Sequence, residues 1–397
     1  MLVSLTRRRV VRVLAILIAV VLMPLAAWVA VAGPVTVQRI VRYGDTDIDD
    51  YSHYPGRPLS PSPSSFSFAR SVEAIDIPRS VLDQYDPGND LGAMLEANNT
   101  TAFLVIKSDT VLYERYYQGH TPSSISQVFS VTKSFTSALI GMAIEDGYIA
   151  GVDQPITDFI PELTDAGFTN VTIHHLLTMM SGSSYQENDN PFGEHVILNF
   201  TPQLEEVILG FGMESPPGTV FRYKSGDNAL LGLALARALG PETITQYAQR
   251  RLWTPIGMQD RAVWTIDHEG NGLEKTWCCL ATSARDLAKL GRLYLNHGAW
   301  VEGYPIPSTW PEQSTRAHVP EAEWSSEYQS IGWRNYGYQW WLASEDDGDY
   351  FALGKDGQFL YVNPAAKAII VRLGWSTGDL LSSQWISLFQ AISRTIR

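Results

Sequence analysis

The sequence predicts an α+β protein, an antiparallel sheet that unites the two ends of the domain and carries a mostly helical lobe, preceded by an apolar N-terminal helix. Three observations carry this reading. Residues 102–107 and 110–117 are two β-rich runs flanking Ser108-Asp109, the signature of a hairpin with a tight turn. Residues 358–362 and 367–373 form a second such pair around Asn363-Pro364, followed by a helical pattern at 381–396. Between the pairs, residues 134–295 repeat their apolar positions with mostly helical period.

Taken from the start, residues 1–12 carry Arg7, Arg8, Arg9 and Arg12 and no acid, and an uncharged run, 13–33, follows. Its 21 residues match the ~20 that cross a bilayer, so residues 1–33 read as a transmembrane anchor. The leading arginines place the remainder outside the cytoplasm, periplasmic or at the cell surface. A cleaved signal peptide is the rival, since Ala30-Val31-Ala32 resembles a cleavage site.

Residues 34–95 are acidic at 45–50 and Pro/Ser-rich at 55–65, a composition that runs extended as a connector. Residues 96–397 are long enough for one large core. Without residues 1–33 the chain holds 25 basic against 42 acidic residues, about −17, which argues against a nucleic-acid partner. No zinc spacing, Walker loop or dinucleotide motif is present. The adjacent Cys278 and Cys279 read as small buried hydrophobes, because neighbouring cysteines bridge only with strain. His174 and His175 point to different faces of any regular element, which disfavours a metal pair.

The chemistry centres on Phe129-Ser130-Val131-Thr132-Lys133, where a β-like run meets a helix ending at Asp146-Gly147. Ser130 sits near the first turn and Lys133 one turn on, on the same face. A serine hydroxyl becomes nucleophilic when a base within hydrogen-bond reach takes its proton, and burial makes a lysine such a base. The bland alternative is a serine cap beside a solvated lysine. Two later stretches raise the odds: Tyr223-Lys224-Ser225 before a second apolar helix, and Gly354-Lys355-Asp356-Gly357-Gln358 before a strand.

In this order the three stretches resemble the penicillin-recognising serine hydrolases, with their Ser-x-x-Lys, Tyr-x-Ser/Asn and Lys/His-x-Gly motifs. Residues 170–182, Pro255–Met258, Ala284–Ala288 and Tyr336–Trp341 are similar as well, so the resemblance spans about 95–395. It looks closest to the branch of class C β-lactamases, esterases and 6-aminohexanoate-dimer hydrolases. The resemblance implies a β-lactamase/transpeptidase-like fold, a small amide or ester as substrate, and no metal or organic cofactor. It also implies roles. Ser130 forms the acyl-enzyme, Lys133 is its base and Tyr223 relays protons. Ser225 and Lys355 orient Tyr223 and bind an acidic substrate end, and the amides of Ser130 and Gln358 hold the oxyanion. Asp356 departs from the pattern, standing where β-lactam-handling members carry Thr or Ser, so weak β-lactamase activity is expected. A D-amino-acid peptidase, a general carboxylesterase and a catalytically silent anchored binding protein are the rival readings. The oligomeric state is not legible.

Overall fold

Alternation along the strands decides how the domain is layered. Strand β3 (Thr100–Lys107) sends Ala102, Leu104 and Ile106 to one face and Phe103 and Val105 to the other, and both sets are buried. Side chains alternate with period two, so a strand apolar on both faces must lie between two layers. The structure is a computed structural model that describes residues 23 and 26–396, apart from 73, 74, 76, 87, 89, 189, 191, 321, 322, 325–332 and 344–346.

The other described strands, in chain order, are β1 (Gly56–Leu59), β2 (Ala69–Arg70), β4 (Thr110–Tyr116), β5 (Ile125–Gln127), β6 (Ala262–Thr265), β7 (Leu280–Ser283), β8 (Asn335–Tyr336), β9 (Trp341–Leu342), β10 (Tyr350–Gly354), β11 (Gln358–Asn363) and β12 (Ala368–Gly374). The large sheet runs β2-β4-β3-β12-β11-β10-β9-β8. Both expected hairpins lie in it, and β12 pairs with β3 (Ile370 opposite Val105), joining the two ends of the domain. Ser108 and Asp109 both have positive φ (47° and 64°), the signature of a two-residue type I′ turn. The sheet is antiparallel except where β2 adds parallel to β4.

One face is closed by the C-terminal helix, whose Trp385, Phe389 and Ile392 pack with Phe103, Phe359 and Tyr361. The other face meets the helical lobe. There the helix Thr132–Glu145, here α2, is buried on every side from Thr132 to Ala143, as a helix at the centre of a core must be.

The continuously described part of the connector, residues 34–72, forms a strap bound along the domain. Helix α1 (Pro34–Tyr43) is pinned by Arg39, which donates to the carbonyls of Phe200, Thr201 and Asp267. β1 then joins β6, β7 and β5 in a four-stranded sheet. The amides of Ser62 and Phe66 donate to Met258 O and Gly257 O at 2.7 and 2.8 Å. A Cβ on Gly257 would stand 2.4 Å from Phe66 N, so only glycine admits the strap at that distance.

One expectation is left open and one changes. The anticipated membrane span, 13–33, lies largely outside the described residues. Among those described no helix is long and apolar enough to cross a membrane. Cys278 and Cys279 are bonded to each other as a vicinal disulfide. The turn at 276–278, closed by Cys279 N–H donating to Lys275 O at 3.2 Å, bends the backbone and brings the two sulfurs together.

Candidate active site

β5 stops at Gln127 and the chain turns through Phe129, whose φ of +46° is rare for a residue with a side chain. That turn delivers Ser130 to the head of α2. Three hydroxyl bonds anchor the helix. Thr132 Oγ1 accepts from Leu280 N–H at 3.2 Å, Ser134 Oγ donates to Gln339 O at 2.7 Å, and Thr136 Oγ1 donates to Thr276 O at 3.0 Å.

Lys133 is 1% exposed, and its Nζ lies 2.8 Å from Ser130 Oγ, 2.9 Å from Trp277 O and 3.2 Å from Ser225 Oγ. These acceptors are all uncharged. Burial therefore pushes the amine down to about 8, with the Glu187 carboxylate pulling the other way. A lysine in that range is neutral often enough near pH 7–8 to take the serine's proton.

Ser225 opens the helix Ser225–Leu239. Its Oγ donates to Glu187 Oε1 at 2.7 Å and its amide to Oε2 at 2.6 Å, so its oxygen is turned toward Lys133. Tyr223, two residues earlier, stacks on Trp341 with centroids 5.3 Å apart, and its ring centroid lies 4.8 Å from Lys133 Nζ. The Ser-x-x-Lys and Tyr-x-Ser stretches thus converge on one point.

The third stretch is placed differently. Lys355 Nζ donates to Asp45 Oδ1 and Thr46 O, both at 2.7 Å, and to Thr46 Oγ1 at 3.1 Å. It bonds the strap, where an orienting contact to Tyr223 was expected. Asp356 leaves that pairing to Asp45 and takes a left-handed conformation (φ 61°). Gln358 N–H, expected to hold the oxyanion, donates to Lys355 O within its own turn. Its side chain is committed to Gly374, accepting from the amide at 3.1 Å and donating to the carbonyl at 2.7 Å.

A loop with no readable periodicity supplies what the sequence concealed. Glu187 faces Ser225 from one side and His195 from the other, with Glu187 Oε2 3.5 Å from His195 Nδ1. Tyr185 OH and Asn199 Nδ2 hold the two imidazole nitrogens at 2.8 and 3.0 Å, and Trp277 Nε1 donates to Asn199 Oδ1 at 2.8 Å. Burial raises the Glu187 carboxyl, but His195, Lys133 and the Ser225 amide outweigh it and hold it down at about 2. Only the Tyr185-x-Glu187 pair hinted at this, and a lone acid in a polar loop reads as solvated.

Glu187→Gln removes the anion that favours a charged Lys133. With Lys133 in the role of base its neutral form is the active one, and the acid limb of the kcat/KM–pH profile, with its midpoint near 8, is then expected to move to lower pH in this variant. An unmoved or raised midpoint would show that Glu187 does not act on Lys133.

Ser130, Glu187, Ser225 and Trp277 line a cavity of about 250 Å³, closed elsewhere by the strap and the vicinal disulfide. Among the described residues no cluster of His, Cys, Asp and Glu can hold a metal ion. His174 and His175 instead bond separately, to Tyr338 OH (3.0 Å) and to Thr172.

Comparison with known proteins places this geometry in context. The Beta-lactamase family profile matches residues 94–379. The 6-aminohexanoate-dimer hydrolase of Paenarthrobacter ureafaciens is 27% identical over 307 residues, covering 73% of this chain and 76% of that one. Among solved structures, a protein assigned as a 6-aminohexanoate-dimer hydrolase from Bacillus anthracis superposes with a TM-score of 0.73 at 24% identity, covering 87% and 92% of the two chains. EstCE1, a hydrolase with promiscuous acyltransferase activity, gives 0.63 at 17% identity, with 80% and 99% covered. A penicillin-binding protein from Bacillus halodurans gives 0.59 at 20% identity, with 76% and 100% covered. At these identities the structural matches speak for the fold alone.

Proposed function

The chain belongs to the Beta-lactamase family, and from that premise we propose that it is a serine hydrolase cleaving small amides or esters through an acyl-enzyme on Ser130, with linear amides of the 6-aminohexanoate-dimer type as the first candidates. The observation that carries the proposal is the 2.8 Å contact between Ser130 Oγ and a buried Lys133 whose amine is pushed down to about 8.

In this reading Lys133 takes the Ser130 proton as Oγ adds to the scissile carbonyl. The tetrahedral intermediate then collapses, the carbonyl-to-leaving-group bond breaks, and the departing nitrogen or oxygen receives a proton. Tyr223, its ring beside Lys133, is the proposed relay for that transfer. Water completes the cycle by the reverse sequence, attacking the acyl carbonyl as Ser130 leaves. The vicinal disulfide and the arginine-led apolar lead support an extracytoplasmic setting.

The test is steady-state hydrolysis of a p-nitrophenyl short-chain ester and of the linear 6-aminohexanoate dimer, each beside a Ser130→Ala control. Serine-dependent turnover of the amide supports the amidase reading, and ester turnover alone reduces it to an esterase. With neither turned over and no fluorophosphonate labelling of Ser130, the protein is a binding protein on a hydrolase fold. Slow hydrolysis of a chromogenic cephalosporin is expected, because Lys355 already bonds Asp45 and Thr46 and offers a β-lactam carboxylate no free ammonium. Turnover as fast as that of the best ester would refute this.

A further inference from the structure

We propose that the buried carboxylate of Asp50, carried into the catalytic cavity by the N-terminal strap, is a recognition site for a protonated primary amine on the substrate. The inference rests on the hydrolase reading above and names the substrate class that the same cavity selects.

Asp50 opens a single 3-10 turn, Asp50–Ser52, and is 3% exposed. One carboxylate oxygen, Oδ1, lies 3.2 Å from His53 Nδ1. The other, Oδ2, is buried without a hydrogen-bond partner, although Asp50 lines the same cavity as Ser130. A buried anionic oxygen left unsatisfied in a cavity wall is what a ligand's donor would complete. Nearby groups do not complete it. Among the described ion pairs Asp50 meets His53 alone. Lys275, in the same wall, is near enough for the Asp50 carboxylate to favour its charged form, but burial and Arg39 push its amine down to about 7, and it donates to Asn199 O at 2.6 Å.

The position is held firmly. Ile48, fully buried, accepts at its carbonyl from Gln127 N–H at 2.8 Å, and Gln127 stands three residues before Ser130. One strand end therefore positions both the nucleophile and the strap that brings Asp50. The argument for a cation over a neutral donor is electrostatic. Burial, with Asp47 adding to it and His53 opposing, pushes Asp50 up to about 6. The group is then charged at neutral pH but only partly compensated by His53 and Lys275, the state that an ammonium on Oδ2 relieves. The cavity that Ser130 and Asp50 share is also lined by Tyr54 and the Cys278–Cys279 pair, surfaces suited to an alkyl spacer. Asp50 also lies outside residues 94–379, so the site belongs to this chain's lead rather than to the part matched by the family.

The experiment compares two ethyl esters of equal length, that of 6-ammoniohexanoic acid and that of heptanoic acid, in which a methyl group replaces the ammonium. Acid release is followed in wild type, Asp50→Asn and Asp50→Glu. The expected result is a wild-type kcat/KM preference for the ammonium ester of at least tenfold, lost in Asp50→Asn and partly kept in Asp50→Glu. No preference in wild type, or an Asp50→Asn variant that slows both esters equally, overturns the proposal. Calorimetric titration of butylammonium and of 1-butanol into the wild-type protein reads the site without turnover and without any variant. Selective binding of butylammonium supports the site even if both esters are inert, in which case the hydrolase reading alone fails. Equal or absent binding of the two overturns the site even where both esters are hydrolysed.

Discussion

Lys133→Met is expected to lower kcat/KM for every serine-dependent substrate by ~10³-fold or more, close to the loss in Ser130→Ala, with the double variant little worse than either. Groups that act as one unit are not additive, because removing the base leaves a hydroxyl that is a poor nucleophile. Methionine is unbranched and only one heavy atom shorter than lysine, and it suits a site only 1% exposed, so folding is expected to survive. It does leave Trp277 O and Ser225 Oγ without the donor they now share. Steady-state kinetics with circular dichroism as the folding control decide the matter. A Lys133→Met protein retaining a tenth or more of wild-type activity would remove Lys133 from the role of base.

The second large effect is on stability. Arg372 in β12 is fully buried, and its guanidinium donates to Asn98 O at 2.6 Å, to Gly357 O and Ser376 O at 2.7 Å, and to Thr100 Oγ1 at 3.2 Å, while lying 4.2 Å from the centre of Trp385. It ties the start of β3, the Lys355–Gly357 turn and the approach to the C-terminal helix into one unit. Arg372→Met strands several buried carbonyls at once and is expected to cost about 3–5 kcal/mol, read as a lowered urea midpoint. A loss under about 1 kcal/mol would show that water or relaxation replaces those bonds. Activity is expected to fall with it, because the same turn positions Lys355 against the strap.

The parts of the fold legible in the sequence are those set by local geometry. β-rich runs mark the strands of both hairpins, Ser108-Asp109 marks a tight turn between the first two, and helical period marks α2 from Phe135 onward. Spacing by three on a helix is enough to put Ser130 and Lys133 on one face. The cysteines go the other way. Local strain argues against a bridge between neighbours, and only the turn at 276–278 brings the two sulfurs together.

Glu187, Asp50 and the partner of Lys355 are not legible, and the reason is common to all three. Each acts through contacts between segments far apart in the chain: Glu187 with Ser225, Lys355 with Asp45, and Asp50 with a wall built from 127–130 and 275–279. Residue type and spacing report the backbone's short-range preferences, which the sequence by itself determines here down to the placing of Ser130 and Lys133 side by side. Which side chain is desolvated beside which other depends on how the strap and the segment around Glu187 pack on the core. That closure is a balance of burial and pairing over the whole fold, so the amine's depressed basicity and the orphaned carboxylate are decided only by the tertiary structure.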